Sequence, residues 1–389
     1  MTKYHLCIVS ETFSPDVNGV AISLQRLIRH LDSACFRVSV VRPAPREVYE
    51  PEQPELWCRG VRVPQYPDVQ LGLPAAGKIH AAWREDWPDL VYIATEGPLG
   101  ASALNVARNA GIPVISAFHT NFHRYSSYYG LGWVRGLILS WLKRFHNRTA
   151  MTLVPSQELQ TDLTGIGFKR VHWLPHGVDC EAFTPALRST ALREEWGVAE
   201  DEILLLFVGR MAPEKNLQLA VKAAEAMVTD GLSVKLVAVG DGPLREDMQA
   251  THPQVIFTGI RTGDALAACY ASADVFLMPS QTETFGLVTL EAMASGLPVV
   301  AFDMAAAGQF VDSSCGALAG DLSEESFILA LGKLLNEGMI SSAGKKARMV
   351  AESASWSAIT RQFEGCCIDL IRQKQEAEGL LVQALQNSS

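Results

Sequence analysis

Ile203-Leu204-Leu205-Leu206-Phe207-Val208-Gly209-Arg210-Met211-Ala212-Pro213-Glu214-Lys215-Asn216 sets the fold class. Six apolar residues with no polar alternation mark a strand buried on both faces, the kind a parallel sheet uses. Gly209 ends the run, and Arg210 and Lys215 fall at the mouth of the next helix. Working outward, similar runs at Val234–Val239, Val255–Phe257, Val275–Met278 and Pro298–Ala301 alternate with amphipathic helical segments. Upstream, Leu6–Ser10, Val38–Arg42, Leu90–Ala94, Pro113–Ala117 and Met151–Val154 do the same. Helices are expected near Val20–Leu31, Pro98–Asn109, Trp133–Arg148 and Gln157–Leu163. The βαβ pattern therefore occurs twice, giving an α/β chain of two Rossmann-like, doubly wound parallel-sheet domains. A Pro/Gly-punctuated segment, Pro175-His176-Gly177-Val178-Asp179 to Pro185, separates them. The expected parts are residues 1–183, 184–355 and a helical tail, 356–389, with Trp356 as its anchor. Ligands in such sheets collect at the carboxyl ends of the strands. Two sheets facing across a cleft would share one.

Composition agrees with this reading. The chain has 389 residues, 48% of them hydrophobic and 19% charged, enough apolar material for two cores and too much for a disordered chain. A formal charge of −9 argues against a nucleic-acid binder. The charge is uneven: residues 1–180 hold 18 Lys+Arg and 15 Asp+Glu, and the remainder holds 15 and 27. The eight cysteines form no CxxC and read as reduced, mostly core-filling thiols of a cytoplasmic protein. The N-terminal residues read as a first strand rather than a signal peptide, and no stretch has the apolar length of a membrane span.

The strongest constellation is Glu283-Thr284-Phe285-Gly286-Leu287-Val288-Thr289-Leu290-Glu291, which follows a strand and opens a helix. Eight positions on a helix span ~12 Å, about the reach from a sugar ring across a diphosphate to a ribose. Glu283 suits sugar hydroxyls and Glu291 a ribose diol. The amides of Phe285, Gly286 and Leu287 suit a pyrophosphate at a helix N-terminus. A first-turn acid and a solvated helix acid would read the same way. Gly209, Arg210 and Lys215 supply cations for phosphate oxygens, or are surface charges in a loop. Gly19, in Phe13-Ser14-Pro15-Asp16-Val17-Asn18-Gly19-Val20, would let backbone approach a phosphate, or is an ordinary turn residue. His119 and His123 follow a strand; with no third ligand beside them, no metal site is expected.

The pairing of Gly209-Arg210 and Glu214-Lys215 with Glu283-x7-Glu291 resembles the retaining nucleotide-sugar glycosyltransferases of family 4, which have the GT-B fold. The resemblance spans essentially the whole chain. It takes in Pro15–Val20, Leu153-Val154-Pro155-Ser156, His176-Gly177-Val178-Asp179, Val239-Gly240-Asp241-Gly242-Pro243 and Ala294-Ser295-Gly296-Leu297-Pro298-Val299. Tyr125-Ser126-Ser127-Tyr128-Tyr129-Gly130 is similar to a stretch in bacterial GDP-mannose-dependent α-mannosyltransferases and in sulfoquinovosyl-diacylglycerol synthases. The resemblance implies catalytic roles for His119, Arg210, Lys215 and Glu283. It places Arg210 and Lys215 on the donor diphosphate, Gly19 against the phosphates, Glu283 on the donor sugar and His119 near it. Glu291 falls to the ribose. It also implies that the segment from Trp356 returns to the first domain, that no cofactor or metal is needed, and that the leaving phosphate takes the acceptor's proton in a front-side displacement. Where many relatives carry Gly-Gly and an acid, this chain reads Asp303-Met304-Ala305-Ala306-Ala307-Gly308-Gln309.

No Asp or Glu occurs between Glu96 and Glu158, while Arg108, Arg124, Arg135, Lys143, Arg144 and Arg148 do. Helical spacing puts Trp133, Val134, Leu137, Ile138, Trp141, Leu142 and Phe145 on one face and most of the cations on another. Residues 124–148 thus suit an anionic membrane surface, or a helix packed on the first sheet with solvated cations. The expected activity is hexose transfer, mannose from GDP-mannose, to a lipid or glycan acceptor. The expected location is cytoplasmic and peripheral on the inner face of the cell membrane. A UDP-sugar donor, a nucleotide-sugar epimerase and a non-catalytic sugar-nucleotide sensor are the competing readings.

Overall fold

The apolar runs form parallel strands in a computed structural model of the chain, which describes residues 3–16, 18–45, 49–63, 66–118, 132–283, 285–336 and 338–386. The chain divides into two units, Met1–Pro175 with Trp356–Ser389, and His176–Ser355.

In chain order the first unit runs β1 (Tyr4–Val9), α1 (Gly19–His30), β2 (Phe36–Pro43), β3 (Glu55–Cys58), β4 (Gly60–Val63), β5 (Tyr66–Gly72) and α2 (Ala76–Glu85). It continues β6 (Leu90–Ile93), α3 (Pro98–Asn109), β7 (Val114–Ala117), α4 (Gly132–His146), β8 (Met151–Val154), α5 (Gln157–Gly165) and β9 (Val171–Trp173). Seven strands make one sheet in the order β3-β2-β1-β6-β7-β8-β9, all neighbours parallel, with β4 and β5 as a separate antiparallel pair. Leu6 and Ile8 enter one core cluster and Cys7 and Val9 another, so β1 is buried on both faces.

The second unit runs α6 (Thr190–Glu195), β10 (Ile203–Val208), α7 (Leu217–Thr229), β11 (Val234–Val239), α8 (Arg245–Thr251), β12 (Ile256–Gly259), α9 (Gly263–Ser272) and β13 (Val275–Met278). Then follow α10 (Leu287–Ala294), β14 (Val299–Phe302), α11 (Ala305–Phe310), β15 (Gly316–Ala319), α12 (Glu324–Asn336) and α13 (Ile340–Ser353). Its six parallel strands are ordered β12-β11-β10-β13-β14-β15. Leu204, Leu206 and Val208 pack on one side, and Leu205 and Phe207 on the other.

The units divide at 175/176, eight residues before the expected 183/184 boundary. Residues 176–183 belong to the second unit because they are bonded into it. The Val178 amide donates to the Ala354 carbonyl at 3.0 Å. Arg348 donates to the Cys180 and Phe183 carbonyls at 3.0 and 2.7 Å, and Phe183 meets the Tyr270 ring edge-on at 5.6 Å. The last helix, α14 (Trp356–Gln386), packs in the first unit: Trp356, Phe363, Cys367 and Ile371 share a core with Leu6, Ile8 and Leu27. The Phe363 and Tyr92 rings lie 5.0 Å apart.

Candidate functional site

In each sheet the strand order reverses at one place, and there the loops leaving adjacent strands open a crevice. In the second unit this switch point lies between β10 and β13, paired through Leu205↔Val275 and Leu206↔Phe276. The loops beyond their carboxyl ends are 209–216 and 279–286, and these hold most of the candidate residues.

The first loop is fixed through its backbone. Gly209 N–H donates to the Val239 carbonyl at 3.0 Å, and Met211 N–H to that of Asp241 at 2.8 Å. Gly240 has φ +132, and a Cβ there would overlap the Gly209 carbonyl oxygen. Only glycine lets the loop after β11 brace Gly209 so closely. Arg210 is exposed; its carbonyl accepts from Ala212 N–H at 2.9 Å, while its guanidinium makes no hydrogen bond or ion pair among the described residues. Lys215 closes a short 3-10 turn, Pro213–Lys215, and its ammonium pairs with the Glu283 carboxylate. The buried Ser280 hydroxyl donates to the Glu214 carbonyl at 3.0 Å, a second tie between the loops that motif reading missed.

The helix does not begin immediately after Glu283. Gly286 adopts φ +82 and ψ +63, so α10 starts at Leu287. A left-handed residue cannot continue a right-handed helix. The ~12 Å helical span expected between Glu283 and Glu291 therefore does not apply, since only the last four steps are helical. Gly286 makes no side-chain cap and the first turn holds no acid. Thr289 N–H donates to the Gly286 carbonyl at 3.0 Å, and the amides ahead of it, without an intrahelical acceptor, favour an anion. Phe285 is buried edge-on to the His176 ring, 5.1 Å between centroids, and its carbonyl accepts from Ala306 N–H at 2.8 Å. Leu287 is half-buried.

Glu291, two-thirds of the way along α10, accepts from the Tyr270 hydroxyl at 3.0 Å. Tyr270 is fully buried, and burial with the adjacent Glu291 charge pushes its phenol well above the ordinary value. It therefore stays a donor and orients that carboxylate. Nothing in the sequence around Tyr270 marks this role. Beyond β14, Ala305 sits at φ +50, a left-handed position that glycine occupies without strain.

The first unit has its switch point between β1 and β6. Gly19 opens α1 behind the N-cap Asn18, whose side chain accepts from Ala21 N–H at 3.1 Å. Gly19 is exposed, has no left-handed φ, and a Cβ on it would meet nothing within 4 Å. Gly209 likewise has no left-handed φ and would make only ordinary contact with Phe207. The described residues require neither glycine, so approach of a ligand phosphate to the backbone is a reason for them that substitution can test. Gly19→Ala should therefore keep or slightly raise the melting temperature, by at most ~1 kcal/mol of helix propensity, while raising the KM for a phosphate-bearing substrate. Unchanged KM would remove that reason.

Glu11, which motif reading missed, stands at the same switch point. It is buried, and accepts from the Gly72 and Leu99 amides at 2.8 and 3.2 Å. Burial pushes its carboxyl up to about 7 against those two hydrogen bonds, with Glu96 adding to the rise. Its signal was an acid directly after an apolar strand, and it ties the β5 strand to the start of α3.

His119, His123, Arg124 and Tyr125–Gly130 lie outside the described residues, as do the side chains of Trp133, Val134 and Arg135. Among the described residues no group of three His, Cys, Asp or Glu side chains is placed to hold a metal ion. The rest of α4 differs from the expected two-faced helix. Leu142 and Phe145 are buried, but Leu137 and Trp141 remain 62% and 43% exposed. Leu137, Trp141 and Arg144 follow one another at i, i+4 and i+7, a single stripe that mixes apolar and cationic side chains, and Arg148 stands in the turn beyond the helix, donating to Asn105 Oδ1 at 2.7 Å. Leu142 packs with Phe118, Val154, Leu163 and Phe168, the half-buried Ile138 and Leu139 lie against the same cluster, and Phe145 joins the separate core of Val9, Leu104 and Val114. Partial burial, then the charges of Arg108 and Arg144, lower the Arg148 pKa from its ordinary value. No helix of the described residues is long and apolar enough to cross a membrane.

Two doubly wound units, with cations and an uncapped helix at a switch point, make a site suited to an anionic, phosphate-bearing ligand. Residues 17–182 match the family described as Glycosyltransferase Family 4, and residues 202–337 match Glycosyl transferases group 1. A GDP-mannose-dependent alpha-mannosyltransferase of Mycolicibacterium smegmatis is 38% identical over 305 residues, 77% of this chain and 79% of that protein. The sulfoquinovosyl transferase SQD2 of Arabidopsis thaliana is 32% identical over 364 residues, 89% and 70% of the two chains. Among solved structures, Anabaena HepE in complex with UDP and glucose superposes with a TM-score of 0.67 at 18% identity, covering 93% of this chain and 98% of its own. The chain belongs to glycosyltransferase family 4 and is a glycosyltransferase of the GT-B fold.

Proposed function

We propose that the chain transfers mannose from GDP-mannose, with retention of configuration and without a metal, to a lipid or lipid-linked acceptor. The carrying observation is the switch point of the second unit, where Arg210, the Lys215–Glu283 pair and the uncapped start of α10 converge on two stitched loops. Arg210, Lys215 and the amides of Phe285, Gly286 and Leu287 take the donor diphosphate; Gly209 and Gly19 offer it close backbone. Glu283 holds sugar hydroxyls and Glu291, steadied by Tyr270, holds the ribose. His119 stands beside the donor sugar. As the glycosidic bond to phosphate breaks, the acceptor oxygen bonds to the sugar carbon from the same face, and its proton passes to the leaving phosphate. Catalysis then comes from positioning and preorganised positive charge.

The names of the mannosyltransferase relatives favour mannose and GDP. The name of the monoglucosyldiacylglycerol synthase relative favours a glycolipid product, and a UDP-sugar donor is the second reading. Ligand binding raises the melting temperature by mass action. GDP-mannose and GDP should therefore shift the melt, and UDP-glucose, UDP-galactose and UDP should not. A shift with UDP compounds alone would overturn the donor assignment.

A lipid acceptor calls for peripheral attachment to the inner face of the membrane, and the Leu137, Trp141 and Arg144 stripe, with Arg108 and Arg148 beside it, supplies it. The protein should sediment with vesicles containing anionic phospholipid and stay in solution with neutral ones. Equal recovery in both supernatants would contradict it.

A further inference from the structure

Arg42 has no part in the reading above, yet it is the largest of the fully buried side chains, 2% exposed at the carboxyl end of β2. Burying a guanidinium costs several kcal/mol unless it is paired and hydrogen-bonded, and an apolar side chain of the same volume often serves stability as well or better. Its contacts show what an apolar side chain would not do. Its Nη1 donates to the Ser14 carbonyl and, at 3.4 Å, to the Tyr49 hydroxyl; its Nε donates to the Pro43 carbonyl at 3.2 Å. Its Nη2 lies 3.7 Å from the Asp16 carboxylate, and the Phe13 and Tyr49 rings lie 5.7 and 5.9 Å from its central carbon.

From Asp16 the bonds continue in one direction. Asp16 Oδ2 accepts from the Thr12 hydroxyl at 3.1 Å and from Phe13 N–H at 3.2 Å. Having donated, the Thr12 oxygen accepts from the Asn18 Nδ2 group at 2.5 Å. That leaves Asn18 Oδ1 facing the helix, where it caps Ala21 N–H. The chain from Arg42 thus fixes which way round the Asn18 amide sits. A flipped amide would aim its NH2 at a backbone N–H and uncap α1.

We propose that Arg42 is a positioning residue which, through Asp16, Thr12 and Asn18, holds the first turn of α1 at Gly19 in the geometry that receives the donor phosphate. It rests on the reading of Gly19 given above. The phosphate is present in both the bound substrate and the transition state, so loosening its seat should raise KM and leave kcat nearly unchanged.

The test uses the full chain with Arg42→Gln, Thr12→Val, Asn18→Ala and the Arg42→Gln/Asn18→Ala double variant. Hydrogen exchange at the amides of residues 18–22 and the KM and kcat for GDP-mannose are the readouts. Each single variant should speed exchange there and raise KM about tenfold, the scale of one helix-terminus anion interaction. The double variant should be no worse than the poorer single, because both cut one chain. Thr12→Val and Asn18→Ala, half-buried, carry the test if Arg42→Gln does not fold. Unchanged exchange, additive KM effects, or a kcat that merely tracks the folded fraction at constant KM would each overturn the proposal. A wild-type protein that neither binds nor turns over GDP-mannose would instead overturn the donor reading, with the exchange readout still deciding the Arg42 chain.

Discussion

Arg210→Ala should lower kcat for sugar transfer by about 10²–10³-fold, the scale of removing one preorganised donor from developing charge. The melting temperature should stay within about 2 °C of wild type, because an exposed side chain away from any partner contributes little to folding. Arg210 has that character: its side chain is exposed, with no hydrogen bond or ion pair among the described residues. Its backbone is nonetheless held, with Gly209 and Met211 bonded to the loop after β11. A cation on a braced loop with no side-chain partner among the described residues is placed to meet a ligand phosphate. Initial rates and a thermal melt on the same preparation separate the two effects. A variant with nearly intact kcat would mean that the guanidinium does not meet the departing diphosphate.

Lys215→Ala should cost both activity and stability. The Glu283 side chain is only 11% exposed and Lys215 is 26% exposed, so the lost partner leaves a largely buried carboxylate unpaired. That loss costs ~1–3 kcal/mol, in addition to a drop in kcat of the same order as for Arg210. Glu283→Gln is a different lesion. It keeps the shape, releases Lys215 and removes a charged acceptor for sugar hydroxyls, so transfer should fall with a smaller loss of stability. In a double-mutant cycle the two substitutions should couple in stability, since they share one contact. Additive melting temperatures would show that the pair does not hold the loops together.

Much of this site was legible because parallel strands buried on both faces write themselves as apolar runs. Ile203–Val208 and Val275–Met278 coincide with β10 and β13, and the charged residues just beyond them mark the carboxyl edge. Besides the β4–β5 pair and α2, the elements that escaped reading are edge strands: β3 carries Glu55 and Trp57, β9 carries His172, and β15 is Gly316-Ala317-Leu318-Ala319. With a face or an edge in water, none of them needs a continuous apolar run. Local spacing also failed at Gly286, where a left-handed residue delays α10 and shortens the helical path to Glu291. Supporting groups were less visible still. Tyr270, Ser280 and Arg42 act through partners 21, 66 and 28 positions away, and periodicity carries no record of such pairs. The Lys215–Glu283 contact is similar: both residues were singled out, but for separate ligands rather than for each other.

The mixed stripe on α4 followed from the same blindness to packing angle. Helical spacing grouped Leu137 and Trp141 with the buried Leu142 and Phe145, and only the tertiary contacts show which edge turns inward.

In the proposed reaction GDP leaves the anomeric carbon of mannose and the acceptor oxygen takes its place on the same face while the chain's own cations hold the departing diphosphate. Proton NMR of the anomeric signals, following GDP-mannose with the enzyme in EDTA, tests it most directly. The account predicts α-mannosyl product, or α-mannose where water is the acceptor, as the first species to appear, before mutarotation. A β-anomer appearing first, or no consumption of the donor until a divalent metal is added, would contradict it.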